Sequence, residues 1–542
     1  MTSDTQTEAY VWVWLPGATE PVVAGRLSAE GGSATLAFNY GKSYLQRKDA
    51  IPIYFPELPL KSGTLPLLDR LSMPGCIRDA APDAWGRRVI LNHKFGVKGA
   101  ELDRTDLSEL AFLLESGSDR IGALDFQASP TEYIPRSAQN ASLDELLQSA
   151  ERVEKGIPLT PELDQALRHG SAIGGARPKA LIEDGDKKYV AKFSASNDLY
   201  SVVKAEFIAM RLASLAELKV ASVSLARASG KDVLLVERFD RKRAKIGWER
   251  KAMVSALTIF ALDEMMARYA SYQDLAEIIR QRFTNAQDTL SELFGRLVFN
   301  ILCGNTDDHA RNHAAFWDGD MLTLTPAYDI CPQGRAGQEA SQAMLIHDND
   351  RMSRLSTCLK TAHHFLLSEK QAIEMIEAQM RIIAAHWSEV CAEADLSEVD
   401  RNLFWGRQFL NPYAFYDLEG DAPSLRAVAS APNLSPVLMD TVPPTVPGST
   451  PTLLRTAPDS VKAALGWTFV SPFLFLTVEA LAAILGYSCA ASAASPWVAT
   501  APAPVALGSA DVTLPTPALE AEPRTSLPIS SITCRRRLGG TL

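Results

Sequence analysis

The 542-residue sequence has no closely spaced pair of cysteines. Its seven cysteines, at 76, 303, 331, 358, 391, 489 and 534, never form a CxxC pair. That removes a zinc knuckle and a disulfide framework, and it suits a reducing compartment such as the cytoplasm. Excess positive charge is also missing, for the formal charge is −10. A general nucleic-acid binder needs a basic stripe, so the charge argues against that role and leaves docking on a DNA-bound partner open. The opening "MTSDTQTEAYVWVWLPG" has neither a basic segment nor a long apolar run, so it does not read as a signal peptide. Charge becomes scarce after residue 420. Residues 421–542 hold 14 charged residues but 16 of the 32 prolines, and runs such as "TVPPTVPGSTP" read as unpacked, low-complexity chain. Residues 463–487 within this tail are long enough to span a bilayer. Pro472 and Glu479 interrupt them, and a charge at mid-bilayer is costly. A disordered tail with one sticky segment is the stronger reading there. Membrane contact is the weaker one, and a tail of altered reading frame also fits.

The remainder has ample material for a core, since 46% of the chain is hydrophobic. Residues 10–60 alternate in strand fashion between Gly and Pro turns, which predicts a small β-rich unit. "AAPDAWGRR" leads into a helix starting near Pro82, and "DLSELAFLLESGSDRIGALDF" reads as a capped helix, a turn and a short strand. Residues 136–170 read as helical and polar. "KALIE" and "KYVAKF" predict two strands joined by a tight turn at Asp184-Gly185. An amphipathic helix over 199–218 and a strand "KDVLLVE" follow. From 251 to 300, and again from 354 to 397, the pattern is helical. The expected organisation is an N-terminal subdomain (1–135), a mixed lobe (136–240), a helical lobe (241–420) and the tail (421–542).

Polar chemistry concentrates in "CGNTDDHARNHAAFWDGDMLTLTPAYDI", residues 303–330. Alone, the stretch leaves three readings open. It fits a polar turn with Asx caps. His309 and His313 are four apart, as in a helical zinc motif, but Ala310 stands where the glutamate belongs. It also fits the catalytic loop of a phosphotransferase, which needs a carboxylate for the acceptor hydroxyl and oxygen ligands for a metal. Asp307 and Asn312 are five apart, and a short strand then ends at Asp329. A phosphotransferase makes further demands upstream. Lys192, on a strand, fits a contact to nucleotide phosphates, and Glu206 on the next helix fits its partner. The turn Gly174, Gly175, Ala176, Arg177, Pro178 and Lys179 fits a phosphate cradle. Val236, Glu237 and Phe239 fit a hinge against an adenine. Each feature alone is an ordinary turn, strand or surface residue more often than not. Their joint order is that of a two-lobed kinase.

Assembled, these residues resemble the HipA family of serine/threonine protein kinases, the toxin half of bacterial toxin–antitoxin pairs. "SAIGGARPKALI", "YVAKF", "LLVERFDR", "NTDDHARN" and "LTPAYDI" carry the likeness, and "AAPDAWGRR" and "GSDRIGALDF" resemble the family's N-terminal subdomain. The resemblance implies an α+β, divergent kinase-like fold with an extra β-rich N-terminal subdomain and an all-helical C-terminal lobe. By position it implies Asp307 as general base and Lys192, with Glu206, on the phosphates of ATP. Asn312 and Asp329 would hold Mg2+, with His309 and Arg311 on the nucleotide side and Tyr328 on the metal side. Asp308 and His313 receive no catalytic role. Many members autophosphorylate a serine at the position occupied here by Ala172. Ser171 is the candidate substitute, and a phosphate there would add about two negative charges beside the cradle. The implied partners are a HipB-like helix-turn-helix antitoxin, through which alone DNA is reached, and a protein substrate from translation such as an aminoacyl-tRNA synthetase. A co-repressor subunit without catalysis and a small-molecule kinase are the alternative functions.

Overall fold

Alternating apolar residues near the N-terminus build the first sheet. A computed structural model describes residues 7–29, 35–68, 70–95, 107–136, 141–160, 163, 164, 167, 175–335, 337, 339–418 and 425. In it β1 (Glu8–Val13), β2 (Val22–Ala29), β3 (Leu36–Tyr40), β4 (Thr64–Leu65) and β5 (Leu124–Gln127) form an antiparallel sheet in the order β4-β3-β2-β1-β5. Its inner face buries Val11, Leu27 and Phe38. The helices Ala84–Phe95 and Glu109–Glu115 belong to the same part of the chain. The second starts at Ser108, whose hydroxyl accepts from the Ala111 amide, as an N-cap serine does.

The second sheet is also antiparallel. β6 (Lys179–Asp184), β7 (Lys187–Phe193), β8 (Val223–Ala228) and β9 (Lys231–Glu237) lie in the order β6-β7-β9-β8. The β6–β7 turn is Gly185-Asp186, one residue later than expected, and Gly185 takes φ +60°. Helix Val202–Leu215 follows β7, and it is buried over most of its length.

The C-terminal part is chiefly helical, with Tyr272–Arg282, Ala286–Cys303 and the long Glu369–Glu393. Strands accompany these helices, a refinement of the all-helical expectation. β10 (Arg241–Arg243) pairs with β11 (Trp248–Arg250), and β12 (Met253–Ser255), β13 (Ala314–Trp317) and β14 (Leu322–Leu324) form a three-stranded sheet. These strands are three or four residues long, too short for periodicity to separate them from helix. Helix Ala286–Cys303 is buried on nearly all sides, as a central core helix must be. It ends at Gly304, φ +74°, where a Cβ would lie 2.7 Å from the Gln408 carbonyl oxygen. Only glycine fits that left-handed cap, and the chain leaves it directly into residues 305–312.

The tail, apart from Leu425, lies outside the described residues, and so does 463–487. Among the described residues no helix is long and apolar enough to cross a membrane.

A buried charge network joins residues 119–122 to the end of β9. Asp119 accepts from Arg238 Nη1 and Arg241 Nε, both at 3.0 Å. Asp240 accepts from Arg238 Nε at 2.9 Å, Arg241 Nη1 at 2.9 Å and the Gly122 amide at 2.8 Å. Burial pushes the Asp240 carboxyl up, but Arg238 and Arg241 outweigh it and bring it to about 2. "GSDRIGALDF" and "LLVERFDR" are thus two halves of one structure. Removing one member strands buried charge, so Asp240→Ala should cost about 3–5 kcal/mol of stability, read as a lower midpoint in denaturant unfolding at pH 7. That contribution is complete above the ordinary carboxylate range and disappears as pH falls through about 2.

Candidate active site

A cleft of about 730 Å³ opens between the second sheet, residues 309–312, Asp329 and the N-terminal segment 72–87. Lys192 lies at its floor, on β7. Its Nζ meets Glu206 Oε1 at 2.5 Å and also contacts Asp329 Oδ1. Helix Val202–Leu215 presents Glu206 because it packs directly behind the sheet, where Glu206 is buried. Burial opposes the Lys192 ammonium, but Asp329 and Glu206 together outweigh that and raise its pKa. Burial lifts the Glu206 carboxyl above its usual range, against the pull of Lys192. Lys192 holds Asp329 well below the usual carboxylate range.

Asp329 has φ +60°, a left-handed backbone that aspartate tolerates better than most residues. Its predecessor is held in place, because the Tyr328 hydroxyl donates to the Arg311 carbonyl at 2.7 Å. Residues 307–312 form a tight turn. The amides of His309 and Asn312 donate to the carbonyls of Asp307 and His309 at 2.9 and 2.8 Å. Asn312 Nδ2 donates to the Asp307 carbonyl at 3.1 Å. That leaves Asn312 Oδ1 as the side-chain atom able to serve as a ligand.

The Asp307 carboxylate is exposed and stands outside the cleft wall, which His309, Arg311 and Asn312 line. Partial desolvation raises its pKa, against the pull of His309 and with the push of Asp329 and Asp308. Asp308 has a different fate. Its buried carboxylate meets His313 Nε2 at 2.9 Å and accepts from the Tyr272 hydroxyl. Burial works against its charge, but His313 and Tyr272 outweigh that and lower its pKa. This is an anchor beneath the loop. Asp308→Ala should therefore cost about 2–4 kcal/mol in urea unfolding, since it leaves two buried polar groups without their acceptor. His309 and His313 serve different neighbours, one at the cleft and one at Asp308. Among the described residues no three His, Cys, Asp or Glu side chains gather as a metal site.

The glycine turn is only partly described, for Ser171, Ala172 and Gly174 lie outside the described residues. Gly175, Ala176 and Lys179 line the cleft. Gly175 takes φ +100°, a backbone that side chains rarely adopt, and a Cβ there would lie 2.2 Å from Lys179 Nζ, which would have to shift. Burial and the adjacent Lys192 pull Lys179 down to about 8. Arg177 turns away to pair with Asp198 at 2.5 Å, and neither it nor Pro178 lines the cleft. Val236, Glu237 and Phe239 form one wall. The Glu237 side chain pairs with Lys187 at 2.7 Å, and the Phe239 ring packs against Tyr328 at 5.7 Å.

Sequence reasoning missed the opposite wall. Asp83, Arg78 and Glu264 line it together with Arg311. Asp83 accepts from Arg311 Nη1 at 2.7 Å and from the Gly175 amide at 2.6 Å, and Glu264 meets Arg311 Nη2 at 2.6 Å. The segment "AAPDAWGRR" held a signal for Asp83 without indicating what it touches. Nothing local marked Glu264.

Comparison with known proteins supplies an independent line. A family model described as the HipA-like C-terminal domain matches residues 171–387, and one described as the HipA N-terminal domain matches residues 13–127. The putative kinase Y4mE of Sinorhizobium fredii is 24% identical over 322 residues, 54% of this chain and 71% of that protein. The serine/threonine-protein kinase toxin HipA of Shewanella oneidensis is 23% identical over 339 residues, 57% of this chain and 72% of the toxin. A solved complex of Shewanella oneidensis HipA, HipB and operator DNA aligns with a TM-score of 0.54 at 19% identity, covering 74% of this chain and 94% of that one. At that identity the structural match speaks for the fold.

Proposed function

The chain belongs to the HipA family of kinases, and from that premise we propose that it is an ATP- and magnesium-dependent serine/threonine protein kinase. The observation that carries the reading is Lys192 held between Glu206 and Asp329. β7 lies between β6 and β9 rather than at the edge of its sheet, so Lys192 is not a solvated surface lysine. At the floor of a cleft it sets a fixed cation for nucleotide phosphates. Lys192 and Lys179 together only balance Glu206 and Asp329, so the charge of incoming phosphates calls for a further cation. The oxygen donors Asp329 and Asn312 fit magnesium, a hard ion that takes carboxylate and amide oxygens. When bound, it would offset the charge on the phosphates.

The chain's own groups then have separate tasks. Val236, Glu237 and Phe239 form the wall for the adenine. Lys192 orients the phosphates, and Glu206 keeps that lysine in place. Asp307, exposed beside the cleft, receives the proton of an incoming serine or threonine hydroxyl. Its exposure suits a protein acceptor, which docks from outside rather than entering the cleft.

The proposed acceptor is a translation component in the cytoplasm, such as an aminoacyl-tRNA synthetase. The proposed restraint is a HipB-like antitoxin. The solved Shewanella oneidensis complex of HipA with HipB and operator DNA and the net charge of −10 support contact with DNA through such a partner. Autophosphorylation at Ser171 is proposed as self-inactivation, and mass spectrometry after incubation with ATP reads it directly. The activity itself is tested by incubating the protein with γ-labelled ATP, Mg2+ and cell lysate. A labelled protein band, absent for Asp307→Asn and after chelation, is the expected result. A folded protein that labels no acceptor would sink the kinase reading.

A further inference from the structure

We infer that Asp83 is a positioning residue of the nucleotide site, tying the glycine loop to the catalytic loop so that the N-terminal subdomain sets the phosphate-binding half of the cleft. The inference rests on the kinase reading of that cleft.

Three remote segments meet at one carboxylate. Asp83 Oδ2 accepts the Gly175 amide at 2.6 Å, and Oδ1 accepts Arg311 Nη1 at 2.7 Å. Arg311 is itself held from the far side by Glu264, so Asp83 bonds to a fixed donor. The same segment grips the loop twice more. The Trp85 amide donates to the Gly175 carbonyl at 3.2 Å, and Trp85 Nε1 donates to the Lys179 carbonyl at 3.0 Å. Both backbone groups of Gly175 are therefore engaged by residues 83–85. Trp85 is fully buried in a cluster with Val89, Leu146 and Phe193, which makes the grip rigid.

The Gly175 N–H is thus not available to a phosphate. What it does is fix the height of the loop above Lys179 and Lys192, the two cationic side chains that line the cleft there. A carboxylate bonded to a glycine amide and an arginine could instead be a stand-in that a phosphate displaces. The geometry favours positioning. Two different elements hold the two oxygens, and Trp85 holds the same loop independently, through its amide to the Gly175 carbonyl and its Nε1 to the Lys179 carbonyl.

The test uses the full chain and two probes, mant-ATP with Mg2+ by fluorescence and adenosine by competition. Asp83→Asn keeps the size but places a donor against Gly175 N–H or Arg311. It should weaken mant-ATP about tenfold, the scale of one charge-assisted hydrogen bond, and leave adenosine within about twofold. Arg311→Lys, which breaks the other end of the bridge, should show the same split. Equal losses for both probes would reduce Asp83 to a structural role and overturn the inference. So would unchanged mant-ATP affinity, and tighter binding would make Asp83 a competitor. If the unmodified chain fails to bind mant-ATP, the kinase reading falls and this inference with it.

Discussion

Asp307→Asn should lower phosphoryl transfer by about two to four powers of ten, the range for loss of a general base, while mant-ATP affinity stays within about twofold of the unmodified chain. The split follows from placement. Asp307 is exposed and is not part of the cleft wall, so removing its charge touches the acceptor and not the nucleotide. The backbone bonds that shape the loop run through the Asp307 carbonyl, which asparagine retains. The pH profile adds a second readout. The base must be ionised, and the raised pKa of Asp307 places the acid limb of the rate above the ordinary aspartate range. Activity should therefore fall as pH drops into that limb, and the limb should vanish in the variant. Equal loss of nucleotide affinity and rate would contradict the assignment.

Lys192→Met should abolish measurable nucleotide binding, a loss of at least about a hundredfold, because it removes the phosphate cation and leaves two carboxylates facing each other. The same change acts on stability. Glu206 is buried, and breaking a buried ion pair costs about 3–5 kcal/mol. Asp329 is partly exposed and can turn toward water, which reduces that cost. The sign with pH is opposite to the usual carboxylate case. Burial already raises Glu206, and without Lys192 its folded-state pKa rises further above the unfolded value. The native variant then binds more protons than its unfolded state, so its stability falls as pH rises. The stability gap to the unmodified chain should widen from pH 5 to pH 8 in thermal unfolding. A gap that narrows over that range would mean that Glu206 keeps another cation.

Local chemistry was legible wherever one element carried it. Strand alternation gave β7 and placed Lys192 on it. The amphipathic pattern of the next helix was legible too, with Glu206 on it as the expected partner of Lys192. A spacing of five put Asp307 and Asn312 in one turn, where Asn312 bonds to the Asp307 carbonyl. Arg177 shows where such reading stops. Its position in the glycine turn suggested a phosphate contact, but its side chain finds Asp198, because a flexible arginine takes the nearest fixed carboxylate. Asp308 and Asp307 are neighbours of the same type, and only packing around Tyr272 and His313 makes one an anchor and leaves the other exposed.

By itself, the sequence determined the order of the longer elements and the residue types within each, but not the short strands β10–β14, since only the longer ones carry enough periodicity and turn chemistry. Tertiary structure alone decided which distant groups share a charge. Lys192 meets Asp329 across 137 positions, Arg311 meets Asp83 across 228, and Arg238 reaches Asp119 across 119. Such pairs form only when close-packed cores hold their elements at one distance and angle. No local pattern records that distance, so the wall of the cleft supplied by residues 72–87 became visible only in the fold.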